Sequence, residues 1–243
     1  MKNIAIIQAR MGSTRLPGKV MMNLCGKTIL AHVINRVKQS KLIDEIIVAT
    51  TCKEKDDAIK DESKKNGVKV FRGSENDVLS RYYYASKENG GDTIIRITSD
   101  CPLIDPYLID EMLDFYIKND YDMVTNATKD LSLRTYPRGL DTEIFSFENL
   151  KDAFNNANKL NEREHVTPYL YKNSERTYYY RNNTDYSNHR WTLDTIDDFK
   201  LIKEIYEKLY DGHHDFYFKD ILKLFKQYPK LMNINSHIKQ KNI

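Results

Sequence analysis

A chain of 243 residues has room for one large α/β domain or two small ones, with a sizeable core. Its 40% hydrophobic and 30% charged residues are those of an ordinary soluble protein. With 38 Lys and Arg against 35 Asp and Glu, a net charge of +3, no strong field draws it to nucleic acid or to a membrane surface, which excludes both as partners.

In chain order, the run "NIAIIQ" predicts a buried strand, and it begins so early that no signal peptide fits before it. A polar loop, "ARMGSTRLPGK", follows, and then "TILAHVINRVKQS" predicts a helix. The strands "EIIVATT", "VKVFRG", "TIIRITSD" and "YDMVTN" come next. They alternate with helical stretches around "KEKDDAIKDESKKN", "NDVLSRYYYASKEN" and "PYLIDEMLDFYIKND". Such alternation predicts an α/β fold, a mostly parallel sheet with helices on both faces. Asp105 followed by Pro106 reads as a helix start, Asp as N-cap and Pro in the first turn. No apolar run is long enough to span a bilayer. Cys25, Cys52 and Cys101 are odd in number and form no CxxC pair, which points to a reducing cytoplasm.

From about residue 127 the rhythm breaks. "TYPRGLDTEIF" reads as loop and strand, "ENLKDAFNNANK" as a helix, "NEREHVTPYLY" as a short helix or turn, and "TYYYRNN" and "RWTLDT" as strands. The helices "IDDFKLIKEIYEKLY" and "FKDILKLFKQYP" close the fold. The expected organisation is one domain over 1–228, with 127–190 as an irregular insertion and 229–243 as a polar tail that frays.

The loop between the first strand and the first helix carries Arg10, Arg15 and Lys19 with Ser13, Thr14, Gly12 and Gly18. Glycine lets backbone N–H groups approach oxyanions, and Arg and Lys neutralise them, so this loop is a candidate phosphate cradle. It is not a Walker A loop: five residues separate Gly12 from Gly18, and Val20 follows Lys19. In open α/β sheets, ligands bind beyond the carboxyl ends of the strands where strand order reverses. A strand order of 3-2-1-4 would set this loop beside "SDCPLIDP", so that the cradle faces Asp100. A carboxylate facing a triphosphate needs a cation between them, and Mg²⁺ is the usual bridge. In "RWTLDTIDDF", Thr195 and Asp198 form a capping-box variant and Asp197 suits the helix dipole, leaving Asp194 as a metal candidate.

"IIQARMGSTRLPGK", "RGSENDVLSRY", "IIRITSDCPLIDP", "YPRGLDTEIF", "REHVTPYLY" and "RWTLDTIDDF" together resemble the SpsF-type cytidylyltransferases of spore-coat polysaccharide synthesis. More distantly they are similar to the CMP-sugar-acid synthetases that activate 3-deoxy-manno-octulosonate and sialic-type acids. The resemblance runs from residue 3 to about 210 and implies a nucleotide-diphospho-sugar-transferase fold. It implies transfer of a cytidylyl group from CTP to a sugar or sugar-acid acceptor, with release of pyrophosphate, in surface-glycan synthesis. It places Arg10, Ser13, Arg15 and Lys19 on the triphosphate, Arg72 and Ser74 near the nucleoside, and Asp100 and Asp194 on Mg²⁺. Ala9 and Gly12 complete the nucleotide loop, and Arg15, Lys19 and Asp100 would be catalytic. Arg138, Arg163, His165 and Arg190 lie in or beside the segment where relatives diverge and are the acceptor candidates. Relatives are commonly dimers, which implies a homodimer with its contact in 127–190.

Each role has a plainer alternative. Arg15 and Lys19 could be surface cations, and Asp100 could cap the turn into "PLIDP". Glu164 and His165 could be a buried hydrogen-bonded pair, and Arg134, Arg138 and Arg190 could bind an acceptor carboxylate or phosphate. "DGHHD" at 211–215 reads as a solvated turn, and the tyrosine triplets at 82–84 and 178–180 as packing. The rival functions are a glycosyltransferase of the related fold and a non-catalytic nucleotide-binding protein. "SDCP" carries one Asp where such glycosyltransferases usually have Asp-x-Asp.

Overall fold

The strand β1 (Asn3–Gln8) alternates its side chains between two apolar layers, Ile4 and Ile6 toward one and Ala5 and Ile7 toward the other. A strand buried on both faces must be central, and the computed structural model, which describes residues 1–128, 130 and 132–239, places it so. After β1 come the short hairpin β2 (Asn23–Leu24) and β3 (Lys27–Thr28), α1 (Ile29–Val37), β4 (Glu45–Thr51) and α2 (Asp57–Lys65). Then follow β5 (Lys69–Gly73), α3 (Val78–Asn89), β6 (Thr93–Thr98) and α4 (Pro106–Lys118). The second half holds β7 (Met123–Thr125), β8 (Glu143–Ser146), α5 (Phe147–Asn156), α6 (Leu160–His165) and α7 (Pro168–Asn173). It ends with β9 (Thr177–Tyr179), α8 (Ile196–Leu209) and α9 (Phe218–Gln227).

The large sheet runs β5-β4-β1-β6-β8-β7-β9, so its four long parallel strands stand in the expected 3-2-1-4 order. Helices α1, α4, α8 and α9 cover one face, and α3, α5 and α7 cover the other. Asp105 caps α4 as expected, accepting from the backbone N–H of Tyr107 and Leu108 at 2.9 and 3.2 Å. Among the described residues no helix is long and apolar enough to cross a membrane.

"YDMVTN" forms β7, which runs in the same direction as β6 in a mostly parallel sheet, as expected, with β8 inserted antiparallel between them. Two expectations need correction. "RWTLDT" is not a strand but makes a single bridge, Arg190 to Arg138. Gly139 explains why the two segments lie so close: its φ is +100°, and a Cβ there would meet the Trp191 carbonyl carbon at 2.5 Å. Finally, the segment after 228 does not hang free. Pro229–Asn233 forms a 3₁₀ turn, Leu231 and Asn235 are buried, and residues 240–243 lie outside the described residues.

Candidate active site

Four features build the site at the carboxyl ends of β1 and β6. First, the loop after β1 is pinned from below. The buried Asp56 carboxylate accepts from the Met11 backbone N–H at 2.7 Å and from the Thr51 hydroxyl. The Met11 carbonyl in turn accepts from the N–H of Ser13 and of Gly18 at 2.9 and 3.1 Å, closing the loop on itself. Gly18, at φ +69°, then turns the chain so that Lys19 opens a 3₁₀ helix pointing inward. Second, the loops after β1 and β6 are adjacent, as the strand order requires: Ser99 N–H donates to the Gln8 carbonyl at 3.1 Å. Third, the segment carrying Asp194 lies across that turn, Leu193 N–H donating to the Asp100 carbonyl at 2.8 Å.

The fourth feature is the charge cluster that these loops bring together. Lys19 is buried, and its Nζ donates to Asp100 Oδ2 at 2.7 Å, Asp194 Oδ1 at 2.9 Å and the Leu193 carbonyl at 2.7 Å. Arg15 reaches the same Asp194 oxygen at 2.8 Å from the solvent side. Arg190 holds the other Asp194 oxygen at 2.8 Å and also binds Asp198. Burial alone would lower the pKa of Lys19, but Asp100 and Asp194 outweigh it, so the ammonium is held above its ordinary value. Burial likewise pushes Asp100 up, and Lys19 more than reverses it, so this carboxyl lies below the usual range. Lys19 and Asp100 therefore face each other as an ion pair at neutral pH. Two carboxylates and no sulfur or imidazole make a hard oxygen set of the kind Mg²⁺ prefers, with its remaining positions open to phosphate and water. Among the described residues no group of three or more His, Cys, Asp or Glu could hold a metal, so any metal here would need ligands from the substrate.

Asp194 has no capping task, because Thr195 and Asp198 supply the capping box of α8 by themselves; its carboxylate is paired with Lys19, Arg15 and Arg190 instead. Arg10 pairs with Glu164 at 3.6 Å, linking the nucleotide loop to the "REHVTPYLY" segment, so Glu164 is exposed and not part of a buried pair. His165 precedes a γ-turn in which buried Val166 has φ +70° and the Thr167 N–H donates to the His165 carbonyl at 2.8 Å. Such a backbone persists only where it is held, and Glu143 holds it, accepting from the Thr167 hydroxyl at 2.9 Å.

Other candidates are engaged elsewhere. Arg72 donates to the Thr51 and Lys53 carbonyls and pairs with Asp57, clipping the loop between β4 and α2. Ser74 accepts from the Asp77 N–H at 3.2 Å. Arg163 binds Asp77 and the Phe154 carbonyl and lies over the Phe154 ring. Arg190 faces the carboxylates, and Arg138 lines a cavity of about 130 Å³ with His189, Trp191, Phe225 and Asn235. Arg134 pairs with Asp141 at 2.6 Å. "DGHHD" is solvated except at His214, which turns inward to His32. The tyrosines pack as expected, Tyr83 stacking on Phe154 at 4.1 Å. Asp56, Glu143 and Asn235 were not singled out from sequence: Asp56 and Asn235 sit in polar stretches that read as surface, Glu143 opens a strand, and only the fold buries their side chains.

A cytidylyltransferase family model matches residues 4–241 of the chain. The spore coat polysaccharide biosynthesis protein SpsF of Bacillus subtilis is 35% identical over 84% of this chain and 85% of its own length. A solved cytidylyltransferase from Leptospira borgpetersenii superposes with a TM-score of 0.90 over the whole of both chains, at 37% identity. The CMP:2-keto-3-deoxy-manno-octonic acid synthetase complexed with CTP shares the fold, with a TM-score of 0.67 at 18% identity, over 86% of this chain and 99% of its own.

Proposed function

The chain belongs to the cytidylyltransferase family, and on that premise we propose that it transfers a cytidylyl group from CTP to a hydroxyl of a sugar or sugar acid. The acceptor oxygen attacks the α-phosphorus, the bond to the β-phosphate oxygen breaks, pyrophosphate leaves, and the hydroxyl proton passes to solvent. The observation that carries this reading is the meeting of Lys19, Asp100 and Asp194 at the carboxyl ends of the central strands. Such a transfer needs little covalent work from the protein; positioning and charge neutralisation carry it.

Arg15 and Lys19 are the cations that the β- and γ-phosphates would meet, and they would stabilise the leaving pyrophosphate. Asp100 and Asp194 would hold Mg²⁺, which when bound supplies charge neutralisation at the α-phosphate. The loop backbone from Ala9 through Ser13, pinned by Asp56, would face the nucleotide, with Arg10 at its edge and Ser74 near the nucleoside. Because Arg72 and Arg163 are tied to neighbouring backbone and carboxylates, their roles in this reading are to hold the walls of the site. His165 and Arg138 are left as the acceptor contacts, on the segment 127–190. Strand β9 forms the outer edge of the sheet and is where we place a homodimer contact. The setting is cytoplasmic glycan synthesis. Pyrophosphate release from each of the four nucleoside triphosphates, with a panel of sugar acids and sugar phosphates as acceptors, tests the reading.

A further inference from the structure

Asp194 meets Lys19 and Arg15 through one oxygen and Arg190 through the other, and Arg190 is itself held. Its Nε donates to Asp198 Oδ1 at 2.9 Å and its Nη2 reaches Asp198 Oδ2 at 3.2 Å. Asp198 is fully buried and gathers further donors: the N–H of Asp194 at 3.0 Å, the N–H of Thr195 at 2.9 Å and the Thr195 hydroxyl at 3.0 Å. The last donor comes from far along the chain. Asn235 Nδ2 donates to Asp198 Oδ1 at 2.9 Å and to the Arg190 carbonyl at 2.9 Å.

Both partners of that amide nitrogen are acceptors, so the NH₂ group must face them and both of its hydrogens are used. An aspartate at 235 would set a second carboxylate against Asp198 and the Arg190 carbonyl; an alanine would remove the one donor that ties the two together. The segment is fixed at a second point, His237 Nε2 lying 3.2 Å from Asp197 Oδ2. Residues that read in sequence as a fraying tail therefore strap the loop that carries Asp194.

We propose that Asn235 is a positioning residue for the metal site: through Asp198 and Arg190 it fixes the orientation of the Asp194 carboxylate. The inference rests on the reading of Asp194 as a Mg²⁺ ligand. Outer partners of this kind hold a ligating group in the orientation that the cation needs, and losing one weakens metal affinity by about tenfold to a hundredfold.

The test is a calorimetric titration of Mn²⁺ into the full chain with CTP and no acceptor, beside CTP binding in excess chelator. Asn235→Ala is expected to weaken Mn²⁺ binding about tenfold, and Asn235→Asp more, while CTP binding in chelator stays at the wild-type value. Asn235→Ser, which keeps one donor, is expected to fall between the wild type and Asn235→Ala. A merely structural role would lower CTP affinity in chelator as far as metal affinity, and that result overturns the proposal. Wild-type Mn²⁺ affinity in folded Asn235→Ala also overturns it. Should Asn235→Asp not fold, Asn235→Ala and Asn235→Ser decide the matter. Asp194→Asn separates the two readings: if it too binds Mn²⁺ normally, the metal assignment itself fails.

Discussion

Asp100 and Asp194 accept hydrogen bonds from a single ammonium, that of Lys19, at 2.7 and 2.9 Å. Two carboxylates from segments far apart in the chain are drawn together by one buried cation at the mouth of the sheet. Apposed carboxylates would repel without a cation between them, and the Lys19 ammonium fills that place.

A capping Asp and a metal-binding Asp respond differently to amidation. Asn still accepts a backbone hydrogen bond, so a cap survives the change. Asp100→Asn and Asp194→Asn are instead expected to lower turnover at least about a hundredfold, by loss of charge stabilisation in the transition state. Circular dichroism should show the fold retained, and added Mg²⁺ should restore part of the activity. Near-normal turnover at low Mg²⁺ in either variant would return that residue to a purely structural role.

Arg15 and Lys19 should separate in their effects, although in sequence both read as loop cations. Arg15 lies on the solvent side, so Arg15→Ala is expected to weaken CTP binding tenfold to a hundredfold, roughly 1.5–3 kcal/mol, with little change in thermal stability. Lys19 is buried between two carboxylates, and Lys19→Ala leaves half-buried Asp100 without its cation while Asp194 keeps Arg15 and Arg190. Its expected cost is about 3–5 kcal/mol of stability in urea denaturation, in addition to lost CTP affinity. Equal stability losses in the two variants would contradict this division.

The course of the central sheet was legible because each long strand is a short stretch rich in Ile, Val or Phe and each crossover carries its own helical pattern. Strand β8 was not, since its place between β6 and β7 depends on pairing between distant segments, for which local pattern carries no signal. Asp194 stood out as the one carboxylate in "LDTIDD" without a capping task, and the structure leaves it free of that task. Its support was hidden: Arg190 read as an acceptor contact, and Asn235 lay in a stretch too polar to suggest burial. Arg72 and Arg163 show the reverse. An arginine near a site looks like a ligand in sequence, while the fold gives its donors to backbone carbonyls.

Nucleotide preference should appear as stabilisation. A ligand that binds only the native state raises the melting temperature by more the tighter it binds, with the logarithm of its affinity, so CTP is expected to shift it further than ATP, GTP or UTP at equal concentration. Equal shifts for all four would remove the base preference from the account.

The pH dependence of stability should come from a buried pair of imidazoles, His32 on α1 and His214 after α8. The Leu24 carbonyl can only accept, so His32 Nε2 carries hydrogen and His32 Nδ1 accepts from His214 Nε2 at 2.8 Å. Burial, with Lys27 and Arg36 nearby, depresses His32 to about 4 and His214 to about 3; His32 and His213 also act on His214. Both imidazoles take up protons more readily in the unfolded chain, so their contribution is complete above pH 6.5 and is lost as pH falls toward 4. The slope there is up to about 1.4 kcal/mol per pH unit for each imidazole. Urea denaturation from about pH 4.5 to about pH 7.5, across the titration of an ordinary imidazole, should show that slope, and His214→Gln should flatten it. An unchanged slope in the variant would mean that other groups govern acid stability.

The most direct measurement follows pyrophosphate released from CTP by the wild-type protein and by Asp194→Asn, with and without each acceptor of a sugar-acid and sugar-phosphate panel. The account predicts release that depends on CTP, on one class of acceptor and on Mg²⁺, and that falls at least about a hundredfold in the variant. Release from CTP at equal rates in both proteins, or none with any acceptor while CTP still binds, would contradict it.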